Sequence, residues 1–199
     1  MLNLPSSTNI NKLLPKKAIY EKLQVRTPQR KSMDTDINRL VLVNEISTRT
    51  TNIAVGKEIK SIFVLSVILK NKNYKEKNML TLFKLIPQKL VLVLNFEETE
   101  KIMVYYANKI LQTDWKPRNE ATLRLQGLNL NEIWENIIIQ IGGILLDQGN
   151  TLEEQINKNE HQQNIDKKIA ALEKKVFAEK QPKKKLALFN ELQALKKSK

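Results

Sequence analysis

The chain has 199 residues, of which 41% are hydrophobic, and its six prolines and five glycines exclude a low-complexity protein. The absence of cysteine and the single histidine, His161, exclude a disulfide framework and a thiolate metal site and disfavour zinc. The net charge of +13 favours a polyanionic partner. The sequence has no signal-peptide pattern, and none of its apolar runs approaches the roughly 20 residues of a membrane helix, so we expect a cytoplasmic protein with no membrane segment.

The N-terminal segment is predicted to form one or two short helices. Ser7 precedes a short apolar pattern, and Pro15 stands where it can be the first residue of a second helix. Ile19, Tyr20 and Leu23 would form the buried stripe of that helix.

The central part predicts a small mixed sheet. Residues 39–46 (RLVLVNEI), 61–70 (SIFVLSVILK) and 89–96 (KLVLVLNF) are rich in β-branched and apolar residues and predict strands. Residues 74–87 carry apolar residues at helical spacing, with Asn73 and Glu76 at capping-box spacing before them. The order strand, helix, strand predicts a βαβ unit with two parallel strands. The segment KIMVYYA (101–107) then predicts an antiparallel strand beside the second of them, and LQTDW predicts a short edge strand.

A further helix should complete this core. Leu130, Trp134, Ile137, Ile138 and Ile141 share one helical face behind a capping box of Asn129 and Glu132, and Gly142 and Gly143 end the helix. We therefore predict a mixed α+β (α/β) fold with a core domain over residues 1–148.

The remaining segment, residues 149–199, predicts a basic helical hairpin of coiled-coil type. Apolar residues recur at heptad spacing on both sides of QPKKK, whose proline cannot lie inside a continuous helix. The seam consists of Ile165, Ile169, Leu172, Val176, Leu188, Leu192 and Leu195. Each half has too few heptads for a free-standing coiled coil, so we expect the seam to dock on a partner protein, on a second copy of the chain or on the chain's own core domain.

The ordered segments NLPSSTNINKLLPKKAIYEKL, TTNIAVGKEI, TDWKP, LRLQGLNLNEIWENIIIQI and AALEKKVFAEKQPKKKLALFNELQALKK resemble one known family over nearly the whole chain. This is the bacterial and archaeal domain of unknown function family 4391. The resemblance implies an accessory protein that accompanies DNA-remodelling helicases and DNA methyltransferases in restriction or phage-defence loci. It implies no catalytic residues.

The whole excess of positive charge lies at the two ends of the chain. Residues 1–31 carry a net charge of +6 and residues 165–199 a net charge of +7, whereas the segment between them is neutral. Basic residues near predicted helix starts form a candidate nucleic-acid footprint, since backbone amides there also attract phosphate. Its residues are Lys12, Lys16, Lys17, Lys183, Lys184 and Lys185.

A metal-dependent nuclease is the alternative from another class. Lys70 ends a buried strand, as the lysine of restriction-type nucleases does, and Glu58 and Asp114 could supply carboxylates. Against this, Ile68 stands where that pattern needs a carboxylate, although a degenerate fold of this kind could still bind DNA. Glu97, Glu98 and Glu100 fall in a predicted hairpin turn, where charge is expected, and Tyr105, Tyr106 and Trp115 could stack on bases.

The sequence thus favours a non-catalytic adaptor of a DNA-directed restriction or defence system. It would dock on a helicase or methyltransferase, or on itself, and contact DNA non-specifically, with no cofactor and no metal. A purely protein-binding subunit, whose lysines only keep it in solution, is the third hypothesis.

Overall fold

The computed structural model describes residues 2–22, 24–118 and 120–197, so the predicted stripe residue Leu23 lies outside the described residues. The strands in this part are β1 (Asn9–Leu14), β2 (Ile37–Ser47), β3 (Ser61–Leu69), β4 (Lys89–Phe96), β5 (Thr99–Tyr106), β6 (Lys109–Gln112) and β7 (Lys116–Pro117). The helices are α1 (Lys16–Lys22), α2 (Thr27–Asp36), α3 (Thr48–Thr51), α4 (Glu76–Leu85), α5 (Leu130–Gly142), α6 (Leu152–Ala178) and α7 (Pro182–Lys197).

The described strands form one mixed sheet in the order β1-β2-β3-β4-β5-β6, with β7 paired to β5 beside β6. Strands β3 and β4 are parallel and are connected through α4, which confirms the predicted βαβ unit. All the other strand pairs are antiparallel. The mixed α+β class predicted from the sequence is therefore confirmed.

Helices cover both faces of the sheet. Leu65 and Val67 of β3 share one core cluster with Met33 of α2 and with Met79 and Leu82 of α4. Helix α5 contacts β3, β5 and β6, and its own buried residues lie outside that cluster. The nearly continuous apolar character of β3 and β4 follows, because strands buried on both faces need apolar residues at successive positions.

The predicted beginning of α5 is confirmed and the predicted beginning of α4 is wrong. The Asn129 side chain accepts hydrogen bonds from the backbone amides of Asn131 and Glu132, and α5 ends at Gly142, followed by Gly143 as its C-cap with a φ of 59°. Helix α4 instead begins after Lys75, whose amide donates to Oδ2 of Asp36 at 2.8 Å. A carboxylate distant in sequence thus performs the capping that was assigned to the local residue Asn73.

The N-terminal segment differs from the sequence prediction. Residues 9–14 form the edge strand β1 rather than a helix, and Nδ2 of Asn44 on β2 donates to Oγ1 of Thr8 at 2.8 Å and to Oδ1 of Asn9 at 2.9 Å. These long-range bonds fix the extended segment and override its weak local pattern. Pro15 does directly precede a helix, α1, whereas α2 was not predicted.

The chain divides into two compact units, residues 1–144 and 145–199. The sequence prediction put this boundary after residue 148. The first unit contains the sheet with α1–α5, and the second contains the helical pair α6 and α7. In the part of the chain that the structure describes, no helix combines the length and the apolar character needed to span a membrane.

The Asp36 cap generates a stability prediction. Asp36 is buried, and its Oδ2 also accepts from Nδ2 of Asn78 at 2.7 Å, so replacing it leaves buried donors without an acceptor. Asp36→Ala should lower the free energy of unfolding by about 2 to 3 kcal/mol. Urea denaturation followed by tryptophan fluorescence measures this, because Trp115 and Trp134 both lie in the first unit. The exposed Asp114→Ala is the control, and an equal loss in both variants would contradict the role of the cap.

Candidate nucleic-acid and partner interface

The second unit is a hairpin of two helices joined by a three-residue connection. A capping box starts α6: the amide of Thr151 donates to Oε2 of Glu154 at 2.8 Å, and the amide of Glu154 donates back to Oγ1 of Thr151 at 3.3 Å. The hydrogen bonds from Thr151 lower the pKa of the Glu154 carboxyl. Helix α6 ends at Ala178, and Pro182 is the first residue of α7, a position where its missing amide hydrogen costs nothing.

The predicted seam lies on the side where the two helices face each other. Leu172 of α6 and Leu192 of α7 are buried, with exposed fractions of 8% and 5%, and the other five seam residues are half-buried. Nζ of Lys196 lies 2.7 Å from Oε1 of Glu173 and links the two helices beside the seam. The seam that we expected to bind a partner therefore also packs the two helices of the hairpin together.

The three lysines that open α7 are exposed. Lys183, Lys184 and Lys185 follow Pro182 in the first turn of the helix, where no acidic residue accompanies them. Positive side chains in this position oppose the helix dipole, whose N-terminal end is itself positive. A bound anion would offset both contributions.

The three N-terminal lysines are placed differently from one another. Lys12 lies exposed on the edge strand β1, and Lys17 is exposed on α1. Nζ of Lys16, in contrast, lies 2.7 Å from Oδ1 of Asp34 and donates to the carbonyl of Ile37 at 2.8 Å. Lys16 therefore serves the fold, and its ammonium group is already occupied.

Asp34 also accepts hydrogen bonds from the side chains of Tyr20 and Lys70. The Tyr20 hydroxyl donates to Oδ1 of Asp34 at 3.1 Å, and burial, reinforced by the neighbouring Asp34 charge, raises the pKa of this phenol well above its usual range. Nζ of Lys70 donates to the backbone carbonyl of Asp34 at 2.7 Å. Lys70, the lysine considered for a nuclease, is thus tied to the end of α2.

The other residues of the nuclease hypothesis are not brought to Lys70. Glu58 precedes β3 and Lys70 follows it, so a nine-residue strand, about 30 Å long, separates them. Asp114 follows β6, which β4 and β5 separate from β3 in the sheet. Among the described residues, no group of three or more His, Cys, Asp or Glu side chains could hold a metal ion.

One acidic residue is placed differently from its prediction. Glu97 and Glu98 form the exposed β4–β5 turn as expected, but Glu100 lies in β5 with an exposed fraction of 1%. It pairs with Asn95 of β4, whose Nδ2 donates to Oγ of Ser66 on β3 at 3.0 Å. A buried polar row thus crosses three strands, and the sequence pattern did not indicate it because Glu100 stands in the charged segment EETEK that predicts an exposed turn.

The aromatic residues considered for base stacking already have protein partners. Trp115 packs edge-on against Tyr74, and the ammonium groups of Lys72 and Lys101 lie 5.6 and 5.5 Å from its ring centre. Burial raises the pKa of Tyr74 to about 12, with a smaller contribution from Glu76. Tyr105 stacks on Phe83 at 5.9 Å between ring centres, and Tyr106 is half-buried in β5.

His161 is exposed on α6, in a polar segment of the helix.

Comparison with known proteins gives one match. The family described as Domain of unknown function (DUF4391) matches residues 2–198, nearly the whole chain. No curated protein matches the chain. No solved structure matches it either.

Lys16 and Lys17 form a matched pair for testing the role of the N-terminal lysines. Lys16→Gln removes the contacts with Asp34 and Ile37 and should lower the free energy of unfolding by about 1 kcal/mol, whereas Lys17→Gln should leave it unchanged within a few tenths. Urea denaturation monitored by tryptophan fluorescence measures both variants. Equal stability of the two would contradict a structural role for Lys16.

Proposed function

Because the chain belongs to the DUF4391 family, whose description assigns no activity, we propose its function from the helical hairpin: a non-catalytic cytoplasmic adaptor that holds DNA non-specifically and docks on a partner protein. The partner would be a helicase or DNA methyltransferase of a restriction or defence system, the setting that the family resemblance implies. The two activities need different surfaces, and the hairpin offers both.

The observation that carries the proposal is the exposed lysine cluster of the hairpin. Residues 165–199 contain eleven lysines and four acidic residues, and Lys183, Lys184 and Lys185 are exposed together in the first turn of α7. A duplex carries one negative charge for about every 1.7 Å of its axis, so it can neutralise such a cluster with release of counterions.

The composition of the hairpin favours contacts with phosphate over contacts with bases. Residues 165–199 contain no arginine, the side chain that most often reads guanine with two hydrogen bonds. Lysine presents a compact charge on a flexible stem and discriminates poorly between sequences. Binding should therefore depend on salt and be indifferent to the order of the bases.

A nuclease is disfavoured as the proposed function because strand β3 separates Glu58 from Lys70 and because Lys70 is engaged with the carbonyl of Asp34. The purely protein-binding subunit remains the competing proposal. It predicts that the hairpin lysines make no difference to any DNA contact.

The test is titration of fluorescent duplex DNA with the full chain at several salt concentrations. Replacing Lys183, Lys184 and Lys185 by Gln should weaken binding on the order of tenfold and reduce the slope of log affinity against log salt by about 2 to 3, the value for three lost phosphate contacts. The control replaces the exposed Lys57, Lys60 and Lys84 of the first unit by Gln, which removes the same charge.

Two results would contradict the proposal. Equal effects of the two triple variants would mean that net charge alone attracts DNA, and binding unaffected by either would favour the purely protein-binding subunit. In a separate assay, Mg²⁺-dependent cleavage of plasmid that is abolished by Lys70→Ala would establish a nuclease instead.

A further inference from the structure

The closed hairpin has two sides of different chemistry. In heptad terms, with Leu172 at position d and Leu192 at position a, Glu173 and Lys196 both fall at position e. In an antiparallel pair the e positions of the two helices meet on one side and the g positions on the other. The 2.7 Å ion pair between Glu173 and Lys196 agrees with this arrangement, so the e side can be followed along both helices.

Large apolar residues are concentrated on the e side. Phe189 occupies position e of α7, and Phe177 and Leu186 occupy the adjoining b positions of α6 and α7. These three residues are called the apolar triad here. Their exposed fractions are 90%, 61% and 44% for Phe177, Leu186 and Phe189, and all three lie close to the connection between the helices.

The opposite side and the back of the hairpin carry lysine. Positions g include Lys168, Lys175 and Lys184, and positions f on the back include Lys174 and Lys183. Of the three lysines that we assign to DNA, Lys184 lies on the side opposite the apolar triad, Lys183 lies on the back and Lys185 falls at position a, one turn before Phe189.

The triad lies where a third helix would pack against a helical pair. The seam residues pack between α6 and α7. An added helix would therefore cover the exposed apolar residues beside the seam. A helix docked there would need an apolar stripe of its own, at the i, i+3, i+4 and i+7 spacing of helix-in-groove recognition.

The charge around the triad indicates the chemistry of the partner. Between residues 174 and 190 there are six lysines and one acidic residue, Glu179, and Lys174 and Lys183 border the triad on the back of the hairpin. A second copy of this basic hairpin would be repelled, whereas acidic residues flanking an apolar stripe would be attracted.

We propose that the e side of the hairpin, formed by Phe177, Leu186 and Phe189, is the docking site for an acidic amphipathic helix of a partner protein, which completes a three-helix bundle. The inference rests on the adaptor function proposed above and specifies the surface and the kind of segment that the adaptor binds.

The test uses a fluorescent synthetic peptide of about three heptads, with Leu at its a and d positions and Glu at e and g, and measures anisotropy with the full chain. Phe177→Ser combined with Phe189→Ser should weaken binding at least about tenfold. The control, Val55→Ser combined with Leu128→Ser, removes exposed apolar residues of the first unit and should change nothing. A peptide of the same composition with scrambled apolar positions should bind weakly to every variant.

Several results would overturn the inference. These are no binding of the patterned peptide, equal binding of the scrambled peptide, equal effects of the two double variants, or a concentration-dependent dimer in sedimentation that the Phe177 and Phe189 substitutions abolish. Circular dichroism checks that the variants keep their helices. DNA titration of the same Phe variant separates the two proposals, because it should bind DNA like the unmodified chain even if peptide binding fails.

Discussion

Pro182 governs the form of the second unit because it has no amide hydrogen and cannot lie inside a helix without breaking it. On a continuous helix the apolar stripes of α6 and α7 would lie on nearly opposite faces, because Leu172 and Leu192 are 20 residues apart and each residue turns the helix by about 100°, and neither stripe could cover the other. With the break at Pro182 the two stripes turn toward each other, and Leu172 and Leu192 become buried. The position of every other side chain of the hairpin follows from that closure, including which lysines and which phenylalanines face outward.

Closure also gives this small unit two sides of different chemistry. Lysines at the g and f positions make one side and the back basic, and Phe177, Leu186 and Phe189 make the other side apolar. Lys168, Lys175 and Lys184 lie on the side opposite Phe189, whereas Lys183 borders the apolar side. In the sheet unit, in contrast, Lys16 and Lys70 are held in structural bonds around Asp34.

The sequence predicted those elements whose pattern is local. Strands β2 to β5, helices α4 and α5, the Asn129 cap and the helical hairpin all have a strong period, an apolar run or a proline that marks them. Features that depend on distant partners were missed. The strand β1 is held by Asn44, the start of α4 by Asp36, and Glu100 is buried by the pairing of β4 with β5. For the candidate site, the heptad spacing predicted the seam and the composition predicted the lysine cluster, but the exposed apolar triad depends on how the two helices pack and was not predicted.

The central claim, that the hairpin is the part of the chain that contacts DNA, is tested most directly by lysine footprinting. The full chain is acetylated under limiting reagent with and without a duplex, and the modification of each lysine is measured by mass spectrometry. The account predicts protection of Lys183, Lys184 and Lys185 and of Lys168 and Lys175, with no change at the exposed Lys57, Lys60 and Lys84. Protection spread evenly over both groups, or absent from the hairpin while DNA is bound, would contradict it.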